Sequence, residues 1–111
     1  MKVDGRLQRT IEPVEGGVSI IDQTLLPFRF ERVVLRSVDE AAHAIASMQV
    51  RGAPLIGATA AWGLALAARA ASDEASLRRA AAQLCATRPT AINLKRVVDE
   101  VLGLVLAAPQ P

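Results

Sequence analysis

Hydrophobic and polar residues alternate in twos over the first third of the chain, and the repeat then lengthens to near 3.6. β-Branched residues interleave with polar ones between turn signals at Asp4-Gly5, Gly16-Gly17 and Pro27. This pattern predicts short strands over Leu7–Ile11, Val18–Asp22 and Phe28–Leu35. In the third of these, Phe28, Phe30, Arg32 and Val34 share one face while Arg29, Glu31, Val33 and Leu35 share the other. Neither face is cleanly apolar, so residues 1–36 are expected to form a small antiparallel sheet or meander, partly covered by the rest of the chain.

From Ser37 the period is helical, and Ser37 with Glu40 has the spacing of a capping box. Val38, Ala41, Ala42, Ile45 and Met48 make the apolar stripe of a first helix, with Asp39, Glu40, His43 and Ser47 on its solvent side. A second helix is predicted to begin at Pro54, whose fixed φ and missing N–H suit a first turn; it is hydrophobic nearly all round and therefore central. Ser72 or Asp73 can cap a third helix, in which Leu77, Ala81, Leu84 and Cys85 line one side up to about Thr87. A fourth runs from about Thr90 to Ala108 on a stripe of Leu94, Val97, Val98, Val101, Leu102 and Val105, with Pro109 stopping it. The expected fold class is α+β: a small N-terminal antiparallel sheet followed by a bundle of about four helices over 37–108.

At 111 residues the chain suits one hydrophobic core, and 51% hydrophobic with 22% charged residues is the composition of a packed domain. Its thirteen Lys and Arg are interspersed with eleven Asp and Glu and form no basic run, and Phe28, Phe30 and Trp62 are the only aromatics; nucleic acid is not an expected partner. The lone Cys85 forms no internal disulfide, and Met1 to Arg9 is charged with no apolar signal-peptide run, which makes the cytoplasm the expected location. Gly57, Gly63 and Arg69 interrupt the apolar stretch from Ala53 to Ala71, so it reads as a buried helix and not a membrane span.

Two corners carry the most suggestive chemistry. Arg51-Gly52-Ala53-Pro54 and Thr87-Arg88-Pro89-Thr90 each set an arginine at a bend before a helix. A helix N-terminus has unpaired N–H groups and a partial positive charge, and a guanidinium fork matches two phosphate oxygens. Two such corners facing each other make a phosphate clamp. The same pattern also arises where Pro merely starts a helix, Gly ends the one before, and the arginines pair with carbonyls or carboxylates. His43 falls on a polar helix face and reads as solvated, Cys85 extends an apolar stripe, and Trp62 reads as core. Asp39-Glu40 and Asp99-Glu100 are adjacent pairs that cannot aim at one substrate as an acid/base couple does. With one histidine and one cysteine there is no metal-ligand spacing, and no cofactor is expected.

Three stretches resemble the N-terminal part of the S-methyl-5-thioribose-1-phosphate isomerase family. They are Ser19-Ile20-Ile21-Asp22-Gln23 with Leu26-Pro27, the run from Val50 to Ala61 (VRGAPLIGATAA), and the run from Thr87 to Leu94 (TRPTAINL). Ribose-1,5-bisphosphate isomerases and the regulatory subunits of initiation factor 2B are the wider relatives. The resemblance implies a mostly helical domain with a small sheet, joined in the family to a larger Rossmann-like C-terminal domain. It also implies a sugar phosphate held between the two, with contacts from Arg51, Gly52, Ala53 and Arg88. The family's catalytic cysteine and aspartate belong to motifs of that C-terminal domain. Neither motif occurs in residues 1–111, so no residue of this chain is expected to be catalytic, and the chain alone is expected to be inactive. The implied partners are the sugar phosphate, the C-terminal catalytic domain and, because the family is typically dimeric, a second copy. The alternative is a regulatory or assembly module like the initiation-factor subunits.

Overall fold

The computed structural model describes residues 2–3, 6–7, 9–88 and 91–107. Two short antiparallel strands, β1 (Lys2–Val3) and β2 (Arg6–Leu7), precede a three-stranded antiparallel meander of β3 (Ile11–Val14), β4 (Gly17–Ile21) and β5 (Arg32–Leu35). Four helices come next: α1 (Val38–Ala46), α2 (Ala53–Ala70), α3 (Glu74–Ala86) and α4 (Ile92–Ala107). The architecture is the expected α+β arrangement. The turn predicted at Asp4-Gly5 and the stop at Pro109 lie outside the described residues.

β4 is the central strand and is buried throughout, with Val18 opposite Leu35, Ile20 opposite both Ile11 and Val33, and Ile21 opposite Arg32. Val18 and Ile20 face the helices and join the main core. On the other face the buried Ser19 is satisfied by Arg32, whose Nε donates to its Oγ at 2.8 Å. Gly17 is needed by proximity: a Cβ there would sit 2.2 Å from the Leu35 carbonyl oxygen.

Two expected strands shift. Residues Leu7–Ile11 divide between β2 and β3. The strand expected over Phe28–Leu35 is confined to Arg32–Leu35, and Phe28 is 92% exposed. The cause is the partner strand: β4 ends at Ile21, and Asp22 then turns the chain by accepting from the Thr24 amide at 3.0 Å. Among the described residues no strand remains for residues 28–31 to pair with; the Glu31 carbonyl accepts from the Asp22 amide (2.9 Å), and the Arg29 amide turns back to the Leu25 carbonyl (2.9 Å).

α1 and α3 start where side-chain caps place them. Ser37 Oγ accepts from the Glu40 amide at 3.2 Å, while the Glu40 carboxylate reaches back to the Arg36 amide at 2.9 Å, one residue before the reciprocal position of a standard box. Asp73, not Ser72, caps α3 by accepting from the Ser76 amide at 3.0 Å. α2 packs against α1, α3 and α4. At 18 residues it is long and apolar enough to cross a membrane by length and composition, but here it is the helix around which the others assemble. Its buried hydroxyl, Thr59, donates to the Leu55 carbonyl at 2.8 Å. Among the described residues no buried side-chain polar atom lacks a partner.

Candidate functional site

The site forms where α1 gives way to α2 and α3 to α4. α1 ends at Ala46, earlier than the expected stripe, and Met48 is not part of it. The Met48 amide donates to the Ile45 carbonyl (3.2 Å) and the Gln49 amide to the Ala44 carbonyl (2.9 Å), the paired bonds of a Schellman motif. Met48 occupies the left-handed position that glycine usually takes, at φ 66°, and its side chain is 43% exposed. The fully buried Val50 then anchors the link before Arg51 emerges at the surface.

Gly52 precedes α2 at φ 91° and ψ 136°, with no side-chain cap. A Cβ there would meet nothing within 4 Å, so the conformation, and not crowding within the protein, calls for glycine. Pro54 lies in the first turn and has no N–H, leaving the Ala53 and Leu55 amides as the free donors of that turn. At the second corner α3 closes on Thr87, whose amide and Oγ1 both reach the Leu84 carbonyl (3.2 and 2.6 Å). The Arg88 carbonyl accepts from the Ala91 amide at 2.9 Å as the chain turns into α4.

These corners open on one cavity of about 630 Å³, lined by Arg51, Gly52, Ala53, Arg88 and Asn93 together with Met48, Ile56, Ala91, Ile92 and Leu94. All four residues singled out in the sequence therefore share one hollow. Among the described residues neither guanidinium has an ion-pair partner. The arrangement combines two cations, two helix N-termini and an apolar floor, which suits an anionic ligand that also carries an apolar part. Met48, Ile56 and Asn93 line the cavity as well, beyond the residues expected there from the sequence. Ile56 and Asn93 lie in two of the stretches on which the family resemblance rests, and Asn93 stands in the first turn of α4.

The rejected candidates lie elsewhere. His43 is exposed on α1 and borders a separate hollow with Val33, Leu35, Asp39, Glu40 and Gln49. Cys85 is half-buried; burial pushes its thiol pKa up, the Asp99 carboxylate pushes the same way, and Lys95 opposes them. A thiol held protonated is a poor nucleophile. Trp62 packs partly buried against the core. Among the described residues no three His, Cys, Asp or Glu groups come close enough to hold a metal ion.

No family model matches the chain. Methylthioribose-1-phosphate isomerase of Methylorubrum populi is 58% identical over 112 residues, covering 99% of this chain and 31% of the relative. The crystal structure of 5-methylthioribose 1-phosphate isomerase from Pyrococcus horikoshii superposes with a TM-score of 0.77 at 35% identity, over 91% of this chain and 34% of that one. Translation initiation factor eIF-2B, subunit delta, from A. fulgidus superposes at 0.74 with 38% identity, over 88% and 34%. The chain spans about a third of the length of the curated relatives it matches. Sequence and fold together relate this chain to the N-terminal part of the methylthioribose-1-phosphate isomerases, with the initiation-factor 2B subunits as structural kin.

Proposed function

We propose that residues 1–111 act as the substrate-gripping N-terminal domain of a methylthioribose-1-phosphate isomerase of methionine salvage. Arg51 with the Gly52-Ala53 main chain holds the substrate phosphate from one side, and Arg88 holds it from the other. The observation that carries this reading is the single cavity onto which both arginines and both helix openings face. Isomerising an aldose 1-phosphate to a ketose moves hydrogen between adjacent carbons and requires a positioned acid/base pair. Among the described residues the cavity lining offers no carboxylate, histidine or cysteine; in this reading the catalytic groups belong to a C-terminal domain that closes over the bound sugar. Phosphate contacts supply orientation and affinity, and turnover follows only when the reacting carbons also meet a catalyst.

Calorimetric titration of 5-methylthioribose 1-phosphate tests the grip. Arg51→Ala and Arg88→Ala each remove a charge-assisted bond and are expected to weaken binding at least tenfold, roughly 1.5 kcal/mol or more. Lysine at either position is expected to restore only part of the loss, because it keeps the charge without the fork. Affinity indifferent to both alanine variants rules the reading out. Residues 1–111 alone are expected to show no turnover, and substantial turnover would overturn the division of labour.

The second reading is an assembly module. It is supported by the eIF-2B likeness, with Leu104 72% exposed on α4 away from the cavity lining. Such a module binds a protein partner and shows no arginine-dependent affinity for sugar phosphates.

A further inference from the structure

We infer that Asp22 is a positioning residue for Arg51, acting through Gln49; the inference rests on reading the cavity shared by Arg51 and Arg88 as an anion site. Asp22 leaves the end of β4 with only 7% of its surface exposed, and both carboxylate oxygens are engaged. Oδ1 accepts from the Thr24 amide at 3.0 Å and from Thr24 Oγ1 at 2.5 Å. Oδ2 accepts from Gln49 Nε2 at 3.1 Å, across 27 residues of sequence. Beside this bond the Gln23 amide donates to the Gln49 carbonyl at 2.9 Å. The end of the sheet therefore holds Gln49 by side chain and main chain together.

Gln49 is also tied to the helical side, because its amide and that of Val50 donate to the Ala44 carbonyl at 2.9 and 3.4 Å. Arg51 stands two residues beyond Gln49, exposed, between the buried Val50 and a glycine at φ 91° whose carbonyl accepts from the Ile56 amide at 2.9 Å. A long side chain on a mobile root reaches its ligand only at a large entropic cost, which a fixed root reduces. Burying a carboxylate is unfavourable unless it is hydrogen-bonded, and this one directs one of its two oxygens at a glutamine in the link that carries the arginine. Sheet and clamp are joined there.

The test is calorimetric binding of 5-methylthioribose 1-phosphate to the full-length protein, with each variant's melting temperature recorded. Q49M keeps the side-chain stem and the Asp22 to Thr24 bonds while removing the tie, and is expected to weaken binding about fivefold to tenfold. Q49E sets two carboxylates against each other and is expected to lose at least a similar factor. D22N combined with Q49E exchanges donor and acceptor across the same gap and is expected to return affinity to within about threefold of the parent. In an Arg51→Ala background Q49M is expected to cost nothing further. Unchanged affinity in Q49M overturns the inference, as does a Q49M loss that persists undiminished without Arg51 or a swap that recovers nothing. If Arg51→Ala itself binds normally, the anion-site reading fails and the positioning role falls with it. If Arg51→Ala weakens binding and Q49M does not, the positioning role alone is wrong.

Discussion

The main-chain amide of Met48 donates to the carbonyl of Ile45 at 3.2 Å, closing α1 with a methionine in the left-handed conformation at φ 66°. That conformation costs a non-glycine residue about 1–2 kcal/mol, partly offset in a comparison with glycine by glycine's greater freedom when unfolded. Met48→Gly is therefore expected to stabilise the protein by about 0.5–1 kcal/mol in urea unfolding, whereas Met48→Ala keeps the strain and is not. A fall in stability on glycine substitution would show that the half-exposed side chain contributes more than its backbone costs.

The Asp73 carboxylate is held below the ordinary aspartate value of 3.8, chiefly by the backbone amide of Ser76 and then by the Ser76 side chain. A group whose folded pKa is depressed contributes stability that is present above the unfolded pKa and lost as pH falls through the folded one. Asp73→Ala is expected to lower the melting temperature at neutral pH, and its deficit relative to the parent is expected to shrink as pH drops below about 3.8. Melting curves across that range check the sign, and a deficit independent of pH would count against the charged cap.

Burial and the Asp99 carboxylate raise the Cys85 thiol above its ordinary 9.0. Alkylation by iodoacetamide at pH 7 is expected to run slower than that of a free cysteine, with the rate still climbing past pH 9.0. Cys85→Ser is expected to leave sugar-phosphate affinity unchanged. A fast reaction at neutral pH would return this thiol to the list of nucleophiles.

Much of the helical half was legible because its signals are local. Ser37 and Asp73 cap helices by bonding amides three residues on, and Pro54 marks a first turn. These interactions need nothing from elsewhere in the chain. Residues 28–31 and Met48 depart from their local patterns for the complementary reason. The alternation around Phe28 fits a strand, but strand pairing requires a partner, and β4 stops at Ile21. Met48 continues the helical stripe, and the left-handed turn that removes it lacks the glycine that usually announces one.

Caps, periodicity and composition act over a few residues, and they suffice for the class of the fold, the starts of α1, α2 and α3, the central place of α2 and the two arginine corners. That Arg51 and Arg88 share a hollow and that Asp22 reaches Gln49 emerges only in the folded chain. Those relations join segments that meet only after α2 has packed against α4 and the meander has closed on α1, and no short-range pattern encodes such a meeting.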